Sequence, residues 1–330
     1  MADSFALKIF TDGKAGKVPV NTAPDEETNY IWHHIFSPAE DDLKKLPESY
    51  GLHPLAIEDC LDDDQIPKME SFQNNTHLIF NTFSYQNDDV KAEEVNIFIG
   101  EKFLITVSRS QKMNNAAQSL AEKILSSAGT LSNGPSWLLH LITDKIIDEK
   151  MNILDVLEDE TESIEDELLE NNSDIDFVQI QRLRHTFQQL RKSLFHEREI
   201  LYRIIREEHD FISHKSSYLF RDVYDHVVRL YEMTESCREN VKNLVELHLA
   251  IANNQMALAA DNTNKTIRRL TFITTVFMPM TLIAGIGGMS EYTSVTGTEN
   301  WEIAYGLLML FFLILGVLSY RWLQGIDRKS

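Results

Sequence analysis

Leu270, Thr274, Met278, Thr281, Gly285 and Gly288 recur at spacings of 4, 4, 3, 4 and 3. They therefore share one face of a helix. The face carries two apolar side chains, two hydroxyls and two glycines, and no acid or base. It cannot move protons by itself. Its hydroxyls, and the carbonyls that glycine leaves uncovered, can meet water or a hydrated cation. Two readings stay open: a wall facing water, and a small-residue seam where helices pack closely. Elsewhere His185, His196, His209, His214, His226 and His248 fall on helix-prone stretches without an i, i+4 histidine pair or a zinc-protease motif. They read as packing and surface residues. There is no glycine loop built to cradle phosphate and no nucleophile beside a base, so an enzyme is not expected.

The stripe lies in Leu270–Met289, 20 residues without a charge. At 1.5 Å per residue that length matches the ~30 Å apolar core of a bilayer. Pro279 sits in its middle and, having no N–H, leaves the Thr275 carbonyl without its helical donor. A second uncharged run, Ile303–Tyr320, follows after the linker Ser290–Trp301. The pair reads as a hairpin that crosses a membrane twice. Arg268 and Arg269 precede the first span, and Arg321, Arg328 and Lys329 follow the second. The linker holds Glu291 and Glu299 and no lysine or arginine. An excess of positive charge marks the cytoplasmic side, so both termini are expected there, with the protein a multi-pass component of the cytoplasmic membrane. The N-terminal MADSFALKIF lacks the basic and apolar regions of a secretory signal.

The formal net charge is −20 over 330 residues. No basic patch suits nucleic acid, whereas an acidic balance favours cations. Cys60 and Cys237 stand far apart with no CxxC spacing, so they are expected to be reduced thiols.

Phe5–Phe10 and Tyr30–Phe36 are strand-like, with Gly13, Gly16, Pro19 and Pro24 marking a loop between them. Ser37-Pro38-Ala39-Glu40 opens a predicted helix reaching Leu46, and Pro54 opens another to Leu61. Thr76–Tyr85 is a predicted strand. Val95–Gly100 and Phe103–Val107 form a predicted hairpin, and Gln111–Ser127 a helix. Strands interleaved with helices predict an α/β domain. Between Pro135 and Pro279 there is no glycine or proline. That stretch predicts helices over 136–170, 174–211 and 217–289, the last about 110 Å long at 1.5 Å per residue. So long a helix needs partners, which points to an oligomeric stalk. The first of the three is strongly acidic, from Asp148 and Glu149 through Glu170. It is either a surface that concentrates cations or an ordinary solvated face.

The stretch Phe277-Met278-Pro279 through Gly288-Met289-Ser290 resembles the first membrane helix of CorA-type divalent-cation channels, which ends in Gly-Met-Asn. Asn264-Lys265 and Leu270-Thr271 match its approach. Phe220-Arg221-Asp222-Val223-Tyr224-Asp225-His226 is similar to the start of the family's stalk helix. His53-Pro54-Leu55-Ala56-Ile57-Glu58-Asp59 and Gln65-Ile66-Pro67-Lys68-Met69-Glu70 match its cytoplasmic domain. These matches keep their order from about residue 30 to the end. The departures are Ser290 in place of asparagine, and Gly287 where many members carry an aromatic. They resemble a Gly-Met-Ser branch near the CmaX and ZntB types.

The resemblance implies an α+β membrane protein: a cytoplasmic α/β domain over 1–130, long helices and stalk over 131–267, a two-helix pore domain over 268–323 and a tail over 324–330. It implies a homo-oligomer, a pentamer, embedded in membrane lipid, with the first span inside and the second outside. The expected cargo is Mg²⁺ first and Zn²⁺ second, with no other cofactor. Pore-facing positions would be Asn264, Leu270, Thr274, Met278, Thr281, Gly285, Gly288, Met289 and Ser290, with Glu291, Glu299 and Glu302 at the outer mouth. A regulatory cation would sit at Asp222. Its family partner position is Gln86, which is uncharged, and Asp88 or Asp89 would substitute. The rival reading is a membrane-anchored sensor that kept the fold and lost conduction, for which Ser290 is the motive.

Overall fold

Strand-forming stretches at the N-terminus pair into one sheet in a computed structural model. It describes residues 4–38, 42, 50–62, 65–86, 89–126, 134–170, 177–207, 209–213, 216–287 and 301–327. The strands are β1 (Phe5–Phe10), β2 (Ala15–Val18), β3 (Thr28–Phe36), β4 (Lys68–Ser71), β5 (Thr76–Gln86), β6 (Asp89–Ile99) and β7 (Phe103–Ser108). Their order in the sheet is β2-β1-β3-β7-β6-β5-β4. Neighbours are antiparallel except β3 and β7, which run parallel from Ile31↔Phe103 to Phe36↔Ser108. The parallel pair exists because the chain between β3 and β7 folds as a separate meander, β4 to β6, that returns beside β3.

Two strands were not legible as strands. β2 lies in the expected loop, where Gly13 takes φ +79 and lets Phe10 and Lys14 close a hairpin. β4 follows Pro67 and is held by its ladder to β5. β6 is longer than expected because Asp89–Glu94, mostly polar, pair fully with β5. The β6–β7 turn needs glycine at 100, since a Cβ there would run into the Phe103 ring.

Alternate residues of the strands serve two cores. On one face Ile35, Phe98, Phe103, Ile105 and Val107 pack with Ala56 and Ile57 of α1 (Pro54–Asp59), with its C-cap residue Cys60 and with its flank. On the other, Trp32 and His34 share the hydroxyl of Thr106, at 3.1 and 2.8 Å, and His34 meets Asn114 of α2 (Gln111–Ser126). Each large apolar side chain buried this way contributes roughly 1.5–3 kcal/mol. Most of the helix predicted over 37–46 lies outside the described residues. Ser37 is not a cap residue in extended conformation: its φ is +46 and its N–H donates to the Ser108 carbonyl.

Two long helices follow, α3 (Pro135–Leu169) and α4 (Phe177–Arg206). Both α3 and α4 contact the sheet. The second ends short of the predicted residue 211, where the His209 ring bonds the Arg203 carbonyl at 3.1 Å. Ile142, Ile146, Ile153, Leu157 and Ile164 of α3 are buried, while Asp155, Asp159, Glu162, Glu165, Asp166 and Glu167 are exposed. That arrangement is the solvated face of an amphipathic helix. Glu149 is paired with Lys112 and Lys145, each at 2.8 Å, and Glu160 with Arg182. Lys150 of α3 and Glu197 of α4 form an ion pair with no exposed side-chain surface. Glu197 also accepts the Asn81 N–H of β5 at 3.0 Å and the Ser193 hydroxyl at 3.1 Å. Burial pushes the Lys150 ammonium below its ordinary range against the pull of Glu197.

α5 spans Ser217–Gly287 as a single helix of 71 residues, and α6 spans Trp301–Asp327. The chain divides into two compact units, residues 1–247 and 248–330. Both cysteines are free and buried.

Candidate functional sites in the membrane pair and on the helical layer

In the C-terminal unit, the apolar part of α5 and nearly all of α6 are long and apolar enough to cross a membrane, and neither is buried within the chain. They touch where Gly316 of α6 faces Met280 of α5; a Cβ on Gly316 would lie 2.8 Å from the Met280 methyl. Small residues at such points let apolar helices approach closely. Pro279 is accommodated inside the helix.

Ile273, Thr274, Phe277, Met278, Thr281, Leu282, Gly285 and Ile286 line one shallow groove on α5. Four residues of the predicted stripe are therefore brought together: Thr274, Met278, Thr281 and Gly285. Met278 is 72% exposed and Leu270 61%, and Asn264 is exposed as well. A Cβ added at Gly285 would meet nothing within 4 Å. The hydroxyls of Thr274 and Thr281 donate to the carbonyls of Leu270 and Phe277, at 3.1 and 2.8 Å. Their donor is thus used within the helix, and what each presents outward is its oxygen lone pairs. Such oxygens can accept from the water shell of a cation. Glu302 is exposed in the first turn of α6. Gly288, Met289, Ser290, Glu291 and Glu299 lie outside the described residues.

A second group lies in the N-terminal unit. Asp144 and Asp148, one turn apart on α3, converge with His226 of α5, their ligand atoms all within 4.8 Å of one another. Asp222 lies one turn before His226, and its charge is a minor upward influence on His140 and Asp144, whose shifts are set first by burial. Burial pushes His140 down and Asp144 up, and the Asp148 carboxylate pushes Asp144 further up. A carboxyl held up by burial and by a neighbouring carboxylate, beside an imidazole, suits a divalent cation: its charge removes the repulsion. The residues present therefore fit a cation. Asp88 lies outside the described residues, as does the side chain of Asp89, which stands in β6. The sequence resemblance implies a cation at Asp222, which stands one turn from His226. Asp144, Asp148 and His226 were not read as ligands, because α3 and α5 meet only in the fold, 78 positions apart between Asp148 and His226. The i, i+4 pairing within each helix was the one available signal.

The chain matches the family described as CorA-like Mg²⁺ transporter protein over residues 27–328. It is 27% identical over 294 residues to the cobalt/magnesium transport protein CorA of Thermotoga maritima, covering 88% of this chain and 80% of that one. It is 26% identical over 302 residues to the putative metal ion transporter YfjQ of Bacillus subtilis, covering 92% of this chain and 89% of the relative. Its fold superposes on the solved CorA magnesium transporter of Methanocaldococcus jannaschii with a TM-score of 0.74, at 23% identity and 96% coverage of each chain.

Proposed function

The chain belongs to the CorA family of divalent-cation transporters, and from that premise we propose that it forms a pentameric, passively driven channel whose first cargo is Mg²⁺ and second Zn²⁺. The observation that carries the reading is the exposed groove of α5, apolar with two hydroxyls and a glycine, on a helix able to span a bilayer. Two helices cannot enclose a water-filled path, so several copies must share one. Around an axis, α5 lies inside and α6 outside in the cytoplasmic membrane, with both termini cytoplasmic. Rings of Leu270 and Met278 make apolar constrictions that close by dewetting. Rings of Thr274, Thr281 and Gly285 supply oxygens to a hydrated ion, with Asn264 at the cytoplasmic approach. Mg²⁺ gives up its water reluctantly, so contacts to its outer shell suit it. Gly288, Met289 and Ser290 end the path, and Glu291, Glu299 and Glu302 raise the cation concentration at its mouth.

Asp144, Asp148 and His226, with Asp222 beside them, hold a regulatory cation on the cytoplasmic side; Asp88 and Asp89 remain available to join it from a neighbouring copy. Residues 1–130 and 131–267 then serve as sensing domain and stalk, 268–323 as the conducting part and 324–330 as a tail. The test is ion flux through the purified full chain in liposomes carrying an Mg²⁺ or Zn²⁺ indicator. Uptake that follows the imposed gradient and potential supports the reading. Intact pentamers without flux of either ion refute conduction, and a species that is monomeric in detergent removes the shared pore.

A further inference from the structure

A third set of ligands lies apart from both sites described above, at the far edge of the sheet. Asp59 ends α1, Glu70 stands in β4 and His77 in β5. The β4–β5 ladder sets Glu70 directly across from His77. A carboxylate oxygen from each acid and a ring nitrogen of His77 all lie within 4.8 Å of one another. His77 is fully buried. Its ring stacks on Phe98 with centroids 4.4 Å apart and 10° between planes, which fixes its orientation. Its Nε2 lies 2.9 Å from the Asn96 amide oxygen. That oxygen can only accept, so Nε2 carries the hydrogen and Nδ1 is left with its lone pair. Nδ1 is buried and has no hydrogen-bond partner. Burial also pushes the imidazole down to about 4, which keeps it neutral at physiological pH.

The cation now nearest is internal. Lys68 Nζ lies 2.8 Å from Asp59 Oδ2 and 3.3 Å from Glu70 Oε1. Burial works against this ammonium, but its two carboxylate contacts outweigh it and hold its pKa above the ordinary value. Lys68 satisfies the carboxylates and leaves the imidazole lone pair unused. Its side chain is 31% exposed, so the ammonium has a route to water.

We propose that Asp59, Glu70 and His77 form a binding site for a divalent transition cation of the zinc class, which enters by displacing the Lys68 ammonium. One imidazole and two carboxylates with a water make a four-coordinate set at Zn–N of about 2.0–2.1 Å and Zn–O of about 2.0–2.2 Å. Magnesium, an oxygen-seeking ion, is a poor match to the imidazole. The Nε2–H to Asn96 contact is the second-sphere bond that orients such ligands. Charge favours the exchange: two carboxylates are neutralised by one divalent ion, and the ammonium regains its hydration. Because the ligands come from α1, β4 and β5, the ion would clamp α1 to the sheet edge.

The test uses the full chain in detergent with His226→Gln as background, so that the Asp144 group does not bind. Zn²⁺ alone is titrated with a competing chromophoric chelator, and Co²⁺ is added to read coordination by its visible absorption. One Zn²⁺ per chain and a low-symmetry Co²⁺ spectrum are expected. His77→Gln should abolish the spectrum, and Asn96→Ala should weaken Zn²⁺ about 10- to 100-fold. Lys68→Met removes the competing cation and should strengthen Zn²⁺ at least fivefold, as expected for one unit charge about 4 Å away even in water-like dielectric. This gain cannot arise from misfolding. Unchanged or weaker Zn²⁺ binding in Lys68→Met, or an unchanged Co²⁺ spectrum in His77→Gln, overturns the proposal. Neither readout depends on ion flux.

Discussion

Replacing Glu197 with glutamine should strand a buried lysine. Glu197 and Lys150 have no exposed side-chain surface, and among the described residues Lys150 otherwise meets the Ser193 hydroxyl at 3.5 Å and the Phe83 ring at 5.7 Å. Breaking one half of such a pair costs about 3–5 kcal/mol. An independent bound agrees. The stranded lysine can shed its proton, which at pH 7 costs about 4.6 kcal/mol from an unfolded pKa near 10.4. Glutamine still accepts the Asn81 N–H, so little else is lost. The consequence has a definite direction with pH. In the variant the folded lysine pKa lies further below its unfolded value, so the unfolded state binds more protons between the two. Stability therefore rises with pH across that window and levels off above about 10.4. Hydrogen exchange on peptides from α3 and α4 reads the effect. Protection should fall roughly 200- to 5,000-fold at pH 7, by about tenfold per 1.36 kcal/mol, and recover towards pH 10. Lys150→Met combined with Glu197→Gln should restore most of it, since no charge is then left buried. A loss below tenfold at pH 7, or no recovery at high pH, would refute the reasoning.

Leu270→Ser and Met278→Ser should each raise resting cation leak in liposomes, because a polar ring holds water where an apolar ring expels it; unchanged leak in both places the gate elsewhere. Asp144→Asn should make the cation-free protein more stable at neutral pH. Its raised folded pKa means the charged form is disfavoured, so the wild-type contribution present at low pH is lost as pH rises through that pKa. The same variant, and Asp222→Asn, should lose this site's share of the stabilisation by Mg²⁺ or Zn²⁺, which for an intact site at 100 times Kd is about 2.7 kcal/mol; identical thermal shifts in wild type and variants would remove the site. Glu291→Gln should reduce flux most at low ionic strength, since exposed charges are screened over about 8 Å at physiological salt; flux unchanged at every salt concentration would dismiss charge attraction at the mouth.

Local chemistry alone determined the parts of this protein that repeat with a period. Uncharged runs of 20 and 18 residues marked the two apolar helices. The absence of glycine and proline after Pro135 marked the long helices, and α5 does run unbroken to Gly287. The stripe at Thr274, Met278, Thr281 and Gly285 was readable because helical spacing places those residues on one face whatever surrounds them. Tertiary structure decided what depends on chain segments meeting. β2 and β4 exist because neighbouring strands supply their hydrogen bonds, not because Ala15–Val18 or Lys68–Ser71 favour extension. Asp144 and His226, or Asp59 and His77, are ordinary polar residues on separate elements until packing brings their ligand atoms within 4.8 Å. Spacing along a chain can place two ligands on one helix face, but it does not show which separate elements will meet. Burial then changes their chemistry: it keeps His77 neutral and raises Asp144, and water is excluded only once the layers have packed.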